Sequence, residues 1–166
     1  MNVLNQLYDS LITQDMEGND VLWLAESYEA ETHDDNPSVP DGYTRFTFEM
    51  VQNATWTDGT PLTAEDVSFS LNYFRDSPGN PYGADLTEMT AAYAPTTYTV
   101  VVEFGSESYW HLHTAAYKPV IPKAVFQDVG LNGWNTWNPN PPTVEMITSG
   151  PFNISDYVAG EFVELT

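Results

Sequence analysis

Twelve consecutive residues, Trp56-Thr57-Asp58-Gly59-Thr60-Pro61-Leu62-Thr63-Ala64-Glu65-Asp66-Val67, constrain the fold of this chain more than any other stretch. Asp58-Gly59 is a turn pair, because glycine adopts positive φ without steric cost. Pro61 can neither extend a ladder nor sit inside a helix, so it holds the connection extended. Thr63 is a strong N-cap, and Asp66 three residues on can return to its backbone N–H, as in a capping box. Glu65 and Asp66 fall in the first turn, where the helix dipole favours negative charge. The order therefore predicts a strand exit, a tight turn and a helix start. Val67, Leu71 and Phe74 recur at i, i+4 and i+7, which predicts a helix over about 64–75, ended by Asp76-Ser77-Pro78-Gly79.

The flanking sequence supplies further elements. Leu4, Leu7, Tyr8 and Leu11 share one helical face, predicting a short helix within 3–12. Asp20 to Tyr28 is an apolar stretch expected to be buried, and residues 31–42 read as a polar loop. Phe46, Phe48 and Met50 alternate with Arg45, Thr47 and Glu49, the period of a half-buried antiparallel strand. Tyr98, Val100, Val102 and Phe104 repeat that pattern. Between these, residues 78–96 read as a long loop with one helical turn, and Pro122 opens a helical turn over 122–126. Residues 130–143 form a polar, Trp-bearing loop. Phe152 to Val158 and Glu161 to Leu165 read as strands around Ala159-Gly160, and the second ends at Thr166 with no partner in sight. Since an unpaired edge is unfavourable, a longer protein is expected. The fold class expected is α+β: a mostly antiparallel sheet flanked by two to four helices.

Charge and composition narrow the function. A formal net charge of −20, from 24 Asp and Glu against 4 Lys and Arg, repels nucleic acid and anionic membrane surfaces. A halophilic or archaeal source fits such a surface, as does an ordinary acidic extracellular protein. The absence of cysteine removes disulfides, thiol catalysis and thiolate metal sites. No apolar run has the length needed to cross a bilayer. Met1-Asn2-Val3-Leu4 leads into an amphipathic pattern and not into a signal segment, so the chain is expected to be cytosolic or a piece of a longer protein.

Catalytic signals are missing. No phosphate loop, zinc-protease helix or nucleophile elbow occurs, and no cofactor is expected. His111 and His113, spaced i, i+2, would share one face of a strand and could begin a metal site, yet no matched carboxylate accompanies them. A solvent-facing strand is the better reading, and no metal site is expected. His33, beside Asp34 and Asp35, is expected to be solvated.

The twelve-residue motif resembles the signature of extracytoplasmic solute-binding proteins of ABC transporters, family 5, the peptide- and nickel-binding class. Tyr8-Asp9-Ser10-Leu11-Ile12, Trp23-Leu24-Ala25-Glu26-Ser27-Tyr28, Tyr98-Thr99-Val100 with Phe104, Ile121-Pro122-Lys123, and Ser149-Gly150-Pro151-Phe152 with Tyr157 and Gly160-Glu161 are similar to further landmarks in the family's order. One departure is Ala124, where the family often has histidine after its isoleucine-proline-lysine turn. The resemblance implies the small subdomain of a first lobe over residues 1–148, and strands returning to the main part of that lobe over 149–166. It implies binding and not catalysis: a solute (peptide, oligosaccharide or metal chelate) is captured between two lobes and delivered to permease subunits. The location implied is extracytoplasmic, at the cell surface or in the periplasm, with membrane association through the transporter or an anchor outside this chain.

Ligand-facing candidates follow from that resemblance and from the aromatic content of 14%. Tyr82 lies in the long loop. Trp134 and Trp137 could form a stacking platform. Ser149, Gly150 and Phe152 lie where the chain crosses back toward the main lobe. Two other function classes remain open: a carbohydrate-binding module, which requires coplanar exposed indoles at Trp134 and Trp137, and a secreted hydrolase fragment using a pair among the many acids.

Overall fold

The computed structural model describes residues 3–137, 146–158 and 161–166. In chain order these form α1 (Leu4–Leu7), β1 (Ile12–Gln14), β2 (Asp20–Leu22), β3 (Ala25–Glu31), β4 (Thr44–Met50), α2 (Ala64–Asp76), a 3-10 turn (Pro81–Gly83), β5 (Met89–Tyr93), β6 (Thr99–Phe104), α3 (His111–Ala116), α4 (Lys123–Val129), β7 (Ile154–Val158) and β8 (Phe162–Leu165). The α+β class is as expected.

The two clearly alternating segments form the centre of a four-stranded antiparallel sheet, in the order β3-β4-β6-β5. The register sets Phe46 opposite Val102 and Phe48 opposite Val100, so both apolar faces coincide. Phe48, Val100, Val102 and Phe104 are fully buried. Burial of each such side chain stabilises by about 1.5–3 kcal/mol. Helix α2 packs over β5 and β6 and buries Val67, Leu71 and Phe74, the three positions its period assigns to the core. At the outer edge β3 exposes Glu26 and Glu29, charges that discourage further strand pairing.

The motif folds largely as read. Gly59 has φ +85°, and Asp58 Oδ1 closes the turn by accepting from the Thr60 N–H at 2.9 Å. Thr63 caps α2 in a capping box, its N–H donating to Asp66 Oδ2 at 3.1 Å. The strand exit is reduced to a single bridge, Thr55 to Pro61, because β4 has already ended at Met50.

Five expectations need correction. The helix expected over 3–12 is one turn: Tyr8 turns extended (φ −132°, ψ 133°) and ends it, although Leu7, Tyr8, Leu11 and Ile12 are all buried. The stretch 20–28 is not a buried run. It divides into β2 and the start of β3, with Leu24 and Ala25 buried and Trp23 55% exposed. Residues 78–96 contain the expected helical turn but also β5, whose bulge between Met89 and Ala91 blurs its alternation. His111 and His113 lie on α3 and not on a strand, so they point about 200° apart. His33 is held by a 2.8 Å hydrogen bond between Nδ1 and the Val39 carbonyl, and is not simply solvated.

The last strand does have a partner: β8 pairs with β7 in a separate hairpin, whose Ile154 and Leu165 rest on the core. The hairpin's turn at Ala159-Gly160, and residues 138–143 of the Trp-bearing loop, lie outside the described residues. No helix among the described residues is long and apolar enough to cross a membrane.

Candidate functional site

Two regions compete for the role of binding site. The first is a seam at the twelve-residue motif, where three distant segments meet. The Asp66 carboxylate accepts the N–H of Thr63 and, at 3.1 Å, that of Lys123. The Lys123 ammonium pairs with Glu65. The buried Ser70 hydroxyl donates to the Asp66 carbonyl at 2.6 Å and accepts the Ile121 N–H at 2.9 Å. Thr57 and Thr148 exchange two further bonds, of 2.9 and 3.1 Å. Trp56 meets Tyr8 edge to face at 6.4 Å. A hollow of about 410 Å³ lies over this seam. Its charged groups already have partners within the chain, Glu65 with Lys123, Asp58 with Thr60 and Asp66 with two backbone N–H groups, so it is a scaffold joint with little capacity left for a ligand.

The second region is a groove on which α1, β1 and α3 converge. Three hollows of about 290, 270 and 300 Å³ all share Asn5 and Tyr117 and so form one continuous depression. Trp23, Asp9 and Pro151 border one end, and Tyr82, Trp110 and Lys118 border the other.

Two carboxylates, Asp9 on its border and Asp20 bonded to its Tyr117 and His113, behave differently. Asp20 accepts a hydrogen bond from the Tyr117 hydroxyl and is bonded to His113 Nε2 at 2.8 Å. The Tyr117 hydroxyl, then His113, hold its carboxyl below the usual range. Burial, reinforced by Asp20, pushes the Tyr117 phenol up to about 12. Asp9 behaves in the opposite way. Burial raises its carboxyl, only partly offset by the Trp23 indole N–H, which donates to Oδ1 at 2.8 Å, and by the Ser149 hydroxyl.

Of the six residues singled out from sequence, the structure brings some together and separates others. Tyr82 is half-buried in the 3-10 turn, its ring 5.2 Å from Phe74, and it borders the groove. Ser149 and Gly150 donate their N–H groups to the Leu7 carbonyl at 3.0 and 2.8 Å, and the Ser149 hydroxyl accepts the Asp9 N–H at 2.9 Å. A Cβ on Gly150 would stand 2.6 Å from the Gln6 carbonyl oxygen, so only glycine allows this approach. Phe152 is 40% exposed just beyond. Trp134 and Trp137 lie elsewhere. Trp134 donates its indole N–H to the Pro78 carbonyl at 3.1 Å, and Trp137 packs on Phe126 at 4.9 Å. Both are half-buried, and neither borders the groove.

Asn5, Asp9, Trp23 and Tyr117 were not legible as site residues, because no local spacing joins them. Trp23 carried the one usable hint, an indole placed where β2 ends and β3 begins. Among the described residues no group of three His, Cys, Asp or Glu could hold a metal ion.

Residues 21–166 match the family of bacterial extracellular solute-binding proteins, family 5 middle. The chain belongs to this family. A provisionally named ABC transporter peptide-binding protein of Brucella ovis is 30% identical over 133 residues, covering 76% of this chain and 24% of that protein. The fold is shared with the oligopeptide-binding protein AppA of Bacillus subtilis, solved with a nonapeptide (TM-score 0.77, 22% identity, 97% of this chain and 30% of that one). It is also shared with NikZ of Campylobacter jejuni, solved with Ni(L-His) (TM-score 0.79, 20% identity, 99% and 30%). This family 5 chain thus spans less than a third of the length of these relatives. The relatives are binding proteins. Of the landmarks read in sequence, Trp56–Val67 and Ile121-Pro122-Lys123 meet at the seam, whereas Asp9, Ser10, Trp23 and Pro151 border the groove.

Proposed function

We propose that this family 5 chain is part of the solute-binding component of an ABC importer, and that the groove around Asn5 and Tyr117 is its share of a cleft that captures a peptide. The observation that carries this reading is the continuity of the groove. Side-chain amides, hydroxyls and aromatic rings line the three hollows, which share Asn5 and Tyr117. Cleft closure over the solute would favour the state that docks on permease subunits, outside the cytoplasm. Residues up to 148 act as the small subdomain of the first lobe, and residues 149–166 lead back toward its main part. Tyr82 forms one wall, and Ser149 and Gly150 fix the other by clamping α1. The charge of −20 suits a medium of high salt, where screening reduces its self-repulsion. The sugar reading loses its support, since the indoles of Trp134 and Trp137 are engaged with Pro78 and Phe126 and do not form a free platform.

Titration calorimetry of the whole protein with tetra-alanine tests this. Asn5→Ala and Tyr82→Ala should each weaken binding by about tenfold, the loss expected for one good contact. Wild-type affinity in both variants would remove the groove from consideration.

A further inference from the structure

Three Asn-x-Ser/Thr triplets occur in the chain: Asn36-Pro37-Ser38, Asn53-Ala54-Thr55 and Asn153-Ile154-Ser155. In proteins that face the outside of the cell, this triplet is the acceptor for N-linked oligosaccharide, provided that its middle residue is not proline. The chain belongs to a family of extracellular proteins, so the triplets meet the right compartment. Pro37 disqualifies the first, and the Asn36 amide is in any case spent on Glu31 at 2.9 Å. The structure separates the other two.

Asn153 is built into the fold. Its N–H and carbonyl exchange bonds with Thr166 at 2.8 and 2.9 Å, and its Oδ1 accepts the hydroxyl of the fully buried Thr148 at 2.5 Å. The hydroxyl of its triplet is also taken, since Ser155 donates to the Glu164 carboxylate at 3.1 Å. Pro151, two residues before it, borders the groove, so a sugar here would crowd the cleft. Asn53 has the opposite surroundings. It lies between the end of β4 and the bridge at Thr55, and among the described residues neither its backbone nor its carboxamide makes a hydrogen bond. The Thr55 hydroxyl is equally unengaged. Both residues are exposed, while Ala54 between them is half-buried against the core and its carbonyl holds the Leu62 N–H at 3.0 Å. The carboxamide and the hydroxyl that a transferase must grip together therefore both face solvent, on a base fixed by Ala54 and the buried Trp56. No residue of this triplet borders the groove or the seam hollow.

We propose that Asn53 is a glycosylation site, and that it carries an N-linked oligosaccharide on the finished protein, whereas Asn153 remains bare. The donor is a lipid-phosphate-linked oligosaccharide. The Asn53 Nδ2 forms a bond to the anomeric carbon of the first sugar, the bond from that carbon to the lipid phosphate breaks, the phosphate leaves with the bonding pair, and one amide proton is released. No electron transfer is involved. The product is a neutral, bulky, solvated group beside the scaffold joint, where the finished fold accommodates it without losing any contact of Asn53.

Tandem mass spectrometry of the whole protein, purified from the cells that produce it and digested, tests this. The peptide containing Asn53 should carry a glycan, with sugar fragment ions and a mass shift fixed to that residue, and the peptide containing Asn153 should have its unmodified mass. Thr55→Ala, expressed in the same cells, should abolish the modification while leaving Asn53 in place, and Thr55→Ser should retain it. Thr55 is exposed, and unchanged far-UV circular dichroism of both variants serves as the folding control. A bare Asn53 in the wild-type protein overturns the proposal, as does a glycan at Asn153, or a modification of Asn53 that survives Thr55→Ala.

Discussion

The seam at Trp56 to Val67 and the groove around Asn5 and Tyr117 contain similar residue types, yet they use them in opposite ways. In the seam, each carboxylate has its partner within the chain: Asp58 with Thr60, Glu65 with Lys123, and Asp66 with two backbone N–H groups. In the groove, Asp9 holds its charge half-buried with neutral donors only. The hollow at the seam exceeds any one of the three in the groove, yet the open chemistry belongs to the groove. Unspent hydrogen-bonding capacity marks the better place, because a ligand must find partners that the fold has not already used.

Four variants break or sharpen that contrast. Trp56→Ala removes a buried indole from the seam and should cost about 3–5 kcal/mol in urea denaturation, as for other large-to-small core changes. Retention of wild-type stability would show that the seam is not the structural joint described. Asp66→Ala strips the acceptor from both the Thr63 and Lys123 N–H groups and should cost about 2 kcal/mol, through the cap and the joint to α4 together.

Asp9→Asn should have the opposite sign. Because burial raises the folded carboxyl above its unfolded value, the native state binds more protons in that interval, and stability falls as pH rises through it. The variant should therefore be slightly more stable than wild type at neutral pH and equal to it once both wild-type states are protonated. Thermal melts over a pH series would show this, and a neutral-pH loss would contradict the assignment of Asp9 as the groove's uncompensated charge. The smallest effect is expected for Asp20→Asn. Its folded carboxyl is depressed, so its contribution is present above the ordinary carboxylate range and disappears as pH falls through the folded value. The side chain is solvent-exposed, which keeps the loss small. The variant should be slightly destabilised at neutral pH and should converge with wild type in acid. Asp9, on the border of the groove, and Asp20, bonded to the groove's Tyr117 and His113, would then titrate in opposite directions.

Much of the scaffold was legible because its signals are short-range. The turn at Asp58-Gly59, the cap at Thr63 and the apolar stripe of α2 lie within one or two turns of chain. The alternation of Phe46, Phe48 and Met50 and of Val100, Val102 and Phe104 announced the two central strands. The errors came where a distant partner overrode a local pattern. Strand β5 exists because β6 offers its edge, despite a bulge that spoils the period. The histidines of α3 have strand-like spacing, yet His111 stacks on Phe104 at 4.1 Å and His113 reaches Asp20 across 93 residues of sequence. Among the candidates, Tyr82 stood out because its loop was conspicuous, and it borders the groove, whereas Trp134 and Trp137 attracted attention by composition and are packed on Pro78 and Phe126.

By itself, the sequence determined the α+β class, the central strands, the capped helix, the order of family landmarks and the excess of negative charge, since all of these depend on residue type and near-neighbour spacing. The tertiary structure decided which charges remain open. Pairing across long sequence separations removes Lys118, Lys123, Arg45 and Asp20 from the list of available groups and leaves Asp9 facing a hollow. A carboxylate's capacity to bind depends on what already surrounds it in space, and that is set by contacts between segments that no local pattern records.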